Sequence, residues 1–425
     1  MKKQFIQVSL IAFAVVVLGL TACKKDNTTT PTFPKLQPVG EVSGTWTQNS
    51  IVTINKDVVV PEGKSLTIEA GTHITFSGDS LGTATAPEFQ VRGNLYVKGT
   101  KDNPVVFSVP EAMQTLDNRY KGLWGGIQCA NTSGEVSINY ATLEYAGAPA
   151  GANSIFVEQG ESEGDPRYAL LYGNVDGKIA VFHSTVVNTA DDAIRVKGGK
   201  MLLCNNTFAF IGGTGGEAMN IKSGVLGVMA FNLVYSGSTN GPKWSNSGDL
   251  TPQTNCDAYN NTMVNCGWRR NKTGRGGSLN IEKAARGTAY NNLIVNCKYG
   301  VRVVGGSKAA DTANLITDYS WYYGNDTLVT NQFYPDNGIL TSNNCPHDVF
   351  GDVDANNPQF AGYDVSTGIN VDLDLNTLDF HLKSSSPALT GAYTGFTPVI
   401  SSLNIGGTNF TTPVPATYFG AFGTK

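Results

Sequence analysis

The stretch NTADDAIRVKGG, residues 188–199, sets Asp191 and Asp192 beside Arg195 and Lys197. Paired carboxyls next to an arginine are what breaking a glycosidic bond calls for. One acid protonates the leaving oxygen, or a base removes a proton while a cation steadies the charged sugar. Neighbours on one strand point apart, so these two aspartates alone cannot flank one bond. Aspartate is also an ordinary corner residue, because its carboxylate caps nearby N–H groups. The expectation is therefore a corner, with Asp191, Asp192 and Arg195 as a catalytic set only in the alternative reading.

A second concentration of chemistry lies between Trp268 and Lys308. Nine basic residues (Arg269, Arg270, Lys272, Arg275, Lys283, Arg286, Lys298, Arg302 and Lys308) face one acid, Glu282, in a chain of net charge −4. Such a patch attracts anions, and guanidinium groups suit carboxylate or sulfate. Acidic glycans fit an acidic exported chain better than nucleic acid does. Other groups say less. DVDANN at 352–357 opens like a calcium loop but lacks its glycine and closing acid. DYSWYYGND at 318–326 reads as a sugar platform or as aromatic filling of a coil end. Cys266 and Cys297 hold equal repeat positions, open to a disulfide or to two buried thiols, and no cysteine shows metal spacing.

The elements that must carry these groups repeat. Units starting at Ala141, Ser184, Asn206, Phe231, Asn261 and Asn292 (ATLEYAG, STVVNTA, NTFAFIG, FNLVYSG, NTMVNCG, NLIVNCK) share an apolar third position and an aromatic or Asn fifth position. Alternation means strand, with both positions expected in the core and the asparagines bonding one another along the stack. The first gap is longer and fits two coils or one with a long loop. A second strand follows in AIRVKGG, AMNIKSG, SLNIEKA and GVRVVGG. It should point Ile194, Met219, Leu279 and Val301 inward, and Arg195, Asn220, Asn280 and Arg302 outward in a stack about 4.8 Å apart. Strands returning at this spacing mean an all-β solenoid. High glycine and low charge agree.

The N-terminus has Lys2 and Lys3, an apolar run from Val8 to Leu20, and Leu20-Thr21-Ala22-Cys23. The run is too short to span a bilayer and ends in a sequence that resembles a lipobox. This implies a signal peptide over 1–22, an acylated Cys23, a flexible tether over 23–40 and a home at an outer membrane, the cell surface favoured over the periplasmic face. Three short Asp-Ser/Thr-apolar sequences, at Asp79, Asp311 and Asp326, resemble a bacterial O-glycosylation pattern of low specificity.

VVVPEGKSLTIEAGTHITF (58–76), VRGNLYVKGTKDNPVVF (91–107), WGGI (124–127) and INYATLEYAG (138–147) resemble the opening coils of right-handed parallel β-helix, pectate-lyase-like surface lipoproteins common in Bacteroidetes. DFHLKSSSPALTGA (379–392) and YFGAFG (418–423) are similar to the ends of such proteins. The resemblance implies a right-handed parallel β-helix over 41–330, running from near Trp46 for roughly ten coils. Further coils and a β-rich cap would follow over 331–425.

It implies no single activity, because the fold hosts lyases, hydrolases and binders alike. The hydrolase pattern of that family fails here: Asn188-Thr189-Ala190 lacks its aspartate, Arg195-Val196-Lys197 comes too early, and no Gly-His-Gly occurs. The functional expectation is a lipid-anchored protein without catalytic activity. It would bind acidic polysaccharide through Arg195, Asn220, Asn280, Arg302, Arg269 and Arg270, or serve surface assembly beside an outer-membrane import complex, without cofactor or metal. The alternative is a polysaccharide lyase acting on uronate-containing glycans, the one case with a place for Ca2+. Three or more carboxylates within metal reach of Arg195 or Arg302 would favour the lyase.

Overall fold

A computed structural model describes residues 33–425; the expected signal peptide over 1–22 and Cys23 lie outside the described residues. From Lys35 to Tyr323 the chain winds through three parallel sheets, each strand pairing with the equivalent strand one coil on. Sheet 1 has eleven strands, from Lys35–Leu36 to Trp321–Tyr323. Sheet 2 has ten, from Gly40–Glu41 to Arg302–Val303, and sheet 3 has ten, from Gly44–Trp46 to Leu315–Thr317. This is a right-handed parallel β-helix of ten coils. It starts earlier than the sequence suggests: Lys35 and Leu36 already pair with Ile51 and Val52, in strands too short to show alternation. The strand at 141–144 pairs directly with 185–189, so the long first gap is one coil with a loop.

The core is a single apolar column. Ile194, Val196, Met219, Ile221, Leu279, Ile281, Val301 and Val303 all point into it and are shielded from water. The third positions of the repeat do likewise, with one correction. The unit at Phe231 is one residue out of register, because Asn232 aligns with Asn206; Val234 faces inward while Leu233 and Tyr235 face outward.

The fifth position also departs from expectation. Tyr145, Asn188, Phe210, Asn265 and Asn296 have φ between +51° and +61°, a left-handed corner that breaks strand alternation. Asparagine tolerates that conformation well. The buried asparagine ladder is instead at the first position. Asn232, Asn261 and Asn292 each accept, at Oδ1, both the backbone N–H and the side-chain amide of the residue one coil earlier (2.9–3.1 Å).

The three stacked sheets end at Tyr323. The C-terminal segment runs back along the outside of sheets 1 and 3, with two short hairpins, Phe360–Gly362 with Asp379–Leu382 and Ser402–Ile405 with Thr408–Thr411. The corner asparagines fasten it: Asn265 donates to Val371 O (3.0 Å), Asn296 to Val365 O (2.9 Å) and Asn291 to Tyr393 O (2.7 Å). Outward aromatics such as Tyr235 and Tyr259 pack beneath it, which covers the apolar outer faces of both sheets.

Candidate functional site on sheet 2

Apart from the last strand, where Asn337 and Ile339 bond Arg302 and Val303, that segment leaves the outer face of sheet 2 free, and the polar residues of this face fall in register. Arg195 pairs with Asn220, Asn220 with Lys243, Lys243 with Asn280, and Asn280 with Arg302. Lys243, in the strand Pro242–Ser245, completes the column that the sequence presents with a gap. Two long connections between sheets 1 and 2, over residues 145–169 and 265–279, wall this face, while the coils between them turn quickly. The result is a cleft of about 270 Å³, its floor including Asp191, Arg195, Glu217 and Lys243 and its rim Arg270, Lys272 and Arg275.

An asparagine separates successive cations of the column, and Arg195 and Lys243 are each answered by acids, whereas Arg302 bonds only amides. Arg195 bonds Asp192 (2.7 Å) and Glu161 (2.9 Å) and lies 3.9 Å over the Tyr168 ring. Lys197 also reaches Glu161 (2.9 Å). Lys243 meets Glu217 at 3.1 Å and Glu282 at 3.6 Å, and Glu282 meets Arg275 at 3.6 Å. Asn220 donates to both Asp192 (2.8 Å) and Glu217 (3.1 Å).

Asp191-Asp192 is thus a corner, as its residue types suggest, but a charged one. Asp192 is fully buried and accepts the Glu217 N–H at 2.7 Å, while Asp191 turns the other way to line the cleft. The Asp192 and Glu217 carboxyls, stacked one coil apart, are within hydrogen-bond reach. Burial lifts Asp192 above the ordinary carboxyl range even against Arg195. Burial also opposes the charge of Glu217, but Lys243, the bond from Asp192 and Arg195 outweigh it and hold that carboxyl low. Of these two carboxyls Asp192 is therefore the first to take a proton as pH falls. Asp191 is raised as well, by burial and then by Asp192. Lys222, at the end of the Met219–Ile221 strand, is lowered to about 8 by burial and by neighbouring Arg195 and Lys243. Perturbed groups gathered at a cleft mark a functional candidate.

Unmet hydrogen bonds gather in the same place. Ten buried side-chain polar atoms among the described residues have no partner. Thr239 Oγ1 and Arg270 Nε line the cleft, and Asn220 Oδ1 and Asn280 Nδ2 lie on its floor column. Buried polar groups are normally satisfied, so this local deficit suits a polar ligand.

The candidate residues divide accordingly. Arg270 is on the rim, donating to Thr214 O at 2.7 Å. Arg302 bonds Asn280 (2.6 Å) and Asn337 (2.8 Å) farther along the face. Arg269 is elsewhere. It donates to the carbonyls of Ile211, Gly212 and Ser236, stacks on Tyr120 at 4.6 Å and approaches Asp372 at 3.7 Å, so it latches the corner rather than facing solvent.

Glu217 and Lys222 were legible: GEAMNIK repeats the pattern of DDAIRVK, acid before Ala and lysine after. Lys243 was masked by the proline that opens its strand. Glu161 lies in a loop with no repeat signal.

Several weaker candidates resolve differently. Trp321, Tyr322 and Tyr323 are buried as the last strand of sheet 1, a coil-end filling. Asp354 of the calcium-like stretch accepts the Tyr323 hydroxyl at 2.8 Å. Cys266 and Cys297 are free thiols donating to Val264 O and Met263 O, both at 3.4 Å. Among the described residues no three His, Cys, Asp or Glu side chains are placed to hold a metal ion. No protein-family model matches this chain, nor does any curated protein or solved structure.

Proposed function

We propose that the protein is a lipid-anchored outer-membrane β-helix protein that binds acidic polysaccharide on the outer face of sheet 2. The observation that carries this reading is the cleft itself, where a basic rim stands over a floor with unmet hydrogen-bonding atoms. Lys272 is exposed and has no ion-pair partner among the described residues, and Arg270 and Arg275 are only partly committed. Cations at a cleft mouth draw a polyanion in, and the floor's amides and hydroxyl supply orienting hydrogen bonds. Anchoring rests on Cys23; a fatty-acid analogue fed to cells should label the wild type and not Cys23→Ala.

The binding test sets the mature protein against polygalacturonate, alginate, chondroitin sulfate and, as an uncharged control, dextran. Salt-sensitive retention of at least one polyanion is expected, weakened about tenfold in an Arg270→Ala/Lys272→Ala/Arg275→Ala variant. Retention of no polyanion at low salt would overturn the reading.

One observation favours a second reading, a lyase acting on uronates. Lys222, lowered to about 8 beside Arg195, has a free-base fraction near neutral pH that could take a proton from a sugar carbon while the arginine steadies the carboxylate. Growth of ultraviolet absorbance from an unsaturated product, abolished in Lys222→Met, would put the lyase first.

A further inference from the structure

A larger groove lies on a different face, between the outer side of sheet 1 and the returning C-terminal segment, with a volume of about 660 Å³. We propose that it is a second carbohydrate site, built for an uncharged oligosaccharide. Its floor is a row of threonines in register on adjacent coils, Thr142, Thr185 and Thr207. They offer one hydroxyl per coil, about 4.8 Å apart. Its apolar surface comes from the half-buried Phe422 and from the exposed Leu116 on the loop between sheets 1 and 2, with edges of the largely buried Tyr145, Phe210 and Phe380 behind them. A pyranose ring has flat C–H faces and a rim of hydroxyls, so it needs this mixture: aromatic surface for the faces, and hydroxyl, amide and carboxylate groups for the rim.

Charge decides which sugar. Glu144, Asp374 and Asp379 line the groove against one arginine, Arg119. That arginine is already engaged, 3.7 Å over the Phe210 ring and 3.5 Å from Asp372. Glu144 accepts only the Ser108 hydroxyl (2.6 Å) and has no ion-pair partner among the described residues. Burial opposes ionisation of Asp379, but Lys425 and His381 hold it down to about 2, so it stays charged. A polyanion would meet three carboxylates here; a neutral sugar meets acceptors for its hydroxyls. Two of the ten unpartnered buried polar atoms, Arg119 Nε and Asn188 Oδ1, also belong to residues lining this groove. One needs an acceptor and the other a donor, and a sugar hydroxyl provides both.

The site is independent of the sheet 2 cleft, and its test uses different probes and variants. Calorimetry of the mature protein against uncharged hexasaccharides (β-1,4-linked gluco, manno and xylo series, and an α-1,4-linked gluco series) should show binding of at least one. The affinity should hardly change with salt, and it should be unaffected by Arg270→Ala/Lys272→Ala. Glu144→Gln together with Thr185→Val should weaken it at least about tenfold. Leu116→Arg, on a side chain 76% exposed, should block the groove without touching the fold. Binding that survives both sets of variants, or none to any hexasaccharide, would overturn the proposal. So would salt-sensitive capture of oligolysine at this groove in place of the sugars, which would make it a cation site.

Discussion

Two columns of polar side chains run along this solenoid, each with one residue per coil, and they are built on opposite rules. The asparagine ladder of Asn206, Asn232, Asn261 and Asn292 is uniform and buried. The column of Arg195, Asn220, Lys243, Asn280 and Arg302 is mixed and draws on four acids, Glu161, Asp192, Glu217 and Glu282. An amide is donor and acceptor at once, so identical residues can satisfy one another without limit. A cation cannot, and Arg195 and Lys243 each draw carboxylates from outside the column. A fold needing only stability could have kept the first solution throughout. Where it departs from that solution, the cleft is found.

The ladder should carry the largest stability effect. Asn261→Ala removes the acceptor for both the Asn232 N–H and its amide, and the donor to Met229 O, inside a dry core. Leaving those groups unmet should cost about 3–5 kcal/mol in urea unfolding. A loss below about 1 kcal/mol would mean that water or a shifted neighbour replaces the ladder, and the contrast between the columns would fail.

The charged column should be less costly but coupled. Lys243→Met leaves Glu217 and Glu282 facing each other's charge without their shared cation. A loss of about 2–4 kcal/mol is expected, and adding Glu217→Gln should recover more than half of it. Independent, additive losses in the double-mutant cycle would show that the network is a set of separate pairs. On the rim, Arg270→Ala/Lys272→Ala should leave unfolding within about 0.5 kcal/mol of wild type. With Arg275→Ala added, it should cost about 1.4 kcal/mol of polyanion affinity. A stability loss equal to the affinity loss would make the rim a structural feature.

The same contrast explains what could be read from the chain. Solenoid and inward strands were legible because stacked coils repeat their apolar pattern: Ile194, Met219, Leu279 and Val301 sit where alternation puts them. The asparagine ladder was legible in kind but assigned to the wrong column, since Asn265 and Asn296 look as periodic as Asn261 and Asn292. Only backbone conformation separates them, and a left-handed corner leaves no apolar signature. The returning C-terminal segment was not legible, because its contacts, such as Asn291 with Tyr393 and Tyr235 with Leu373, join positions about a hundred residues apart or more without a shared period. The charged residues around the cleft fall between these cases. Asp192 and Glu217 align in the repeat, whereas Glu161 and Arg275 come from loops whose placement depends on the finished coil.

The smallest expected effect is also the one that isolates charge from packing. Lys222 is lowered from 10.5 to about 8, chiefly by burial and then by Arg195 and Lys243. A lysine whose pKa falls on folding penalises the folded state while it is protonated. The penalty is full below about pH 8 and fades as pH rises from there towards 10.5. Wild-type stability should therefore rise over that window by this contribution, and Lys222→Met should lack the rise. The shift alone would correspond to more, but solvent screening at a partly exposed side chain brings the expected difference to about 1 kcal/mol or less. Unfolding free energies at pH 7 and pH 9.5 measure it: Lys222→Met neutral or slightly stabilising at the lower pH, and its advantage gone at the higher one. The asparagine ladder has no titrating group, so Asn261→Ala must shift both pH values alike. Parallel pH profiles for wild type and Lys222→Met would show that Lys222 is an ordinary solvated lysine, and with it would go the base that the lyase reading requires.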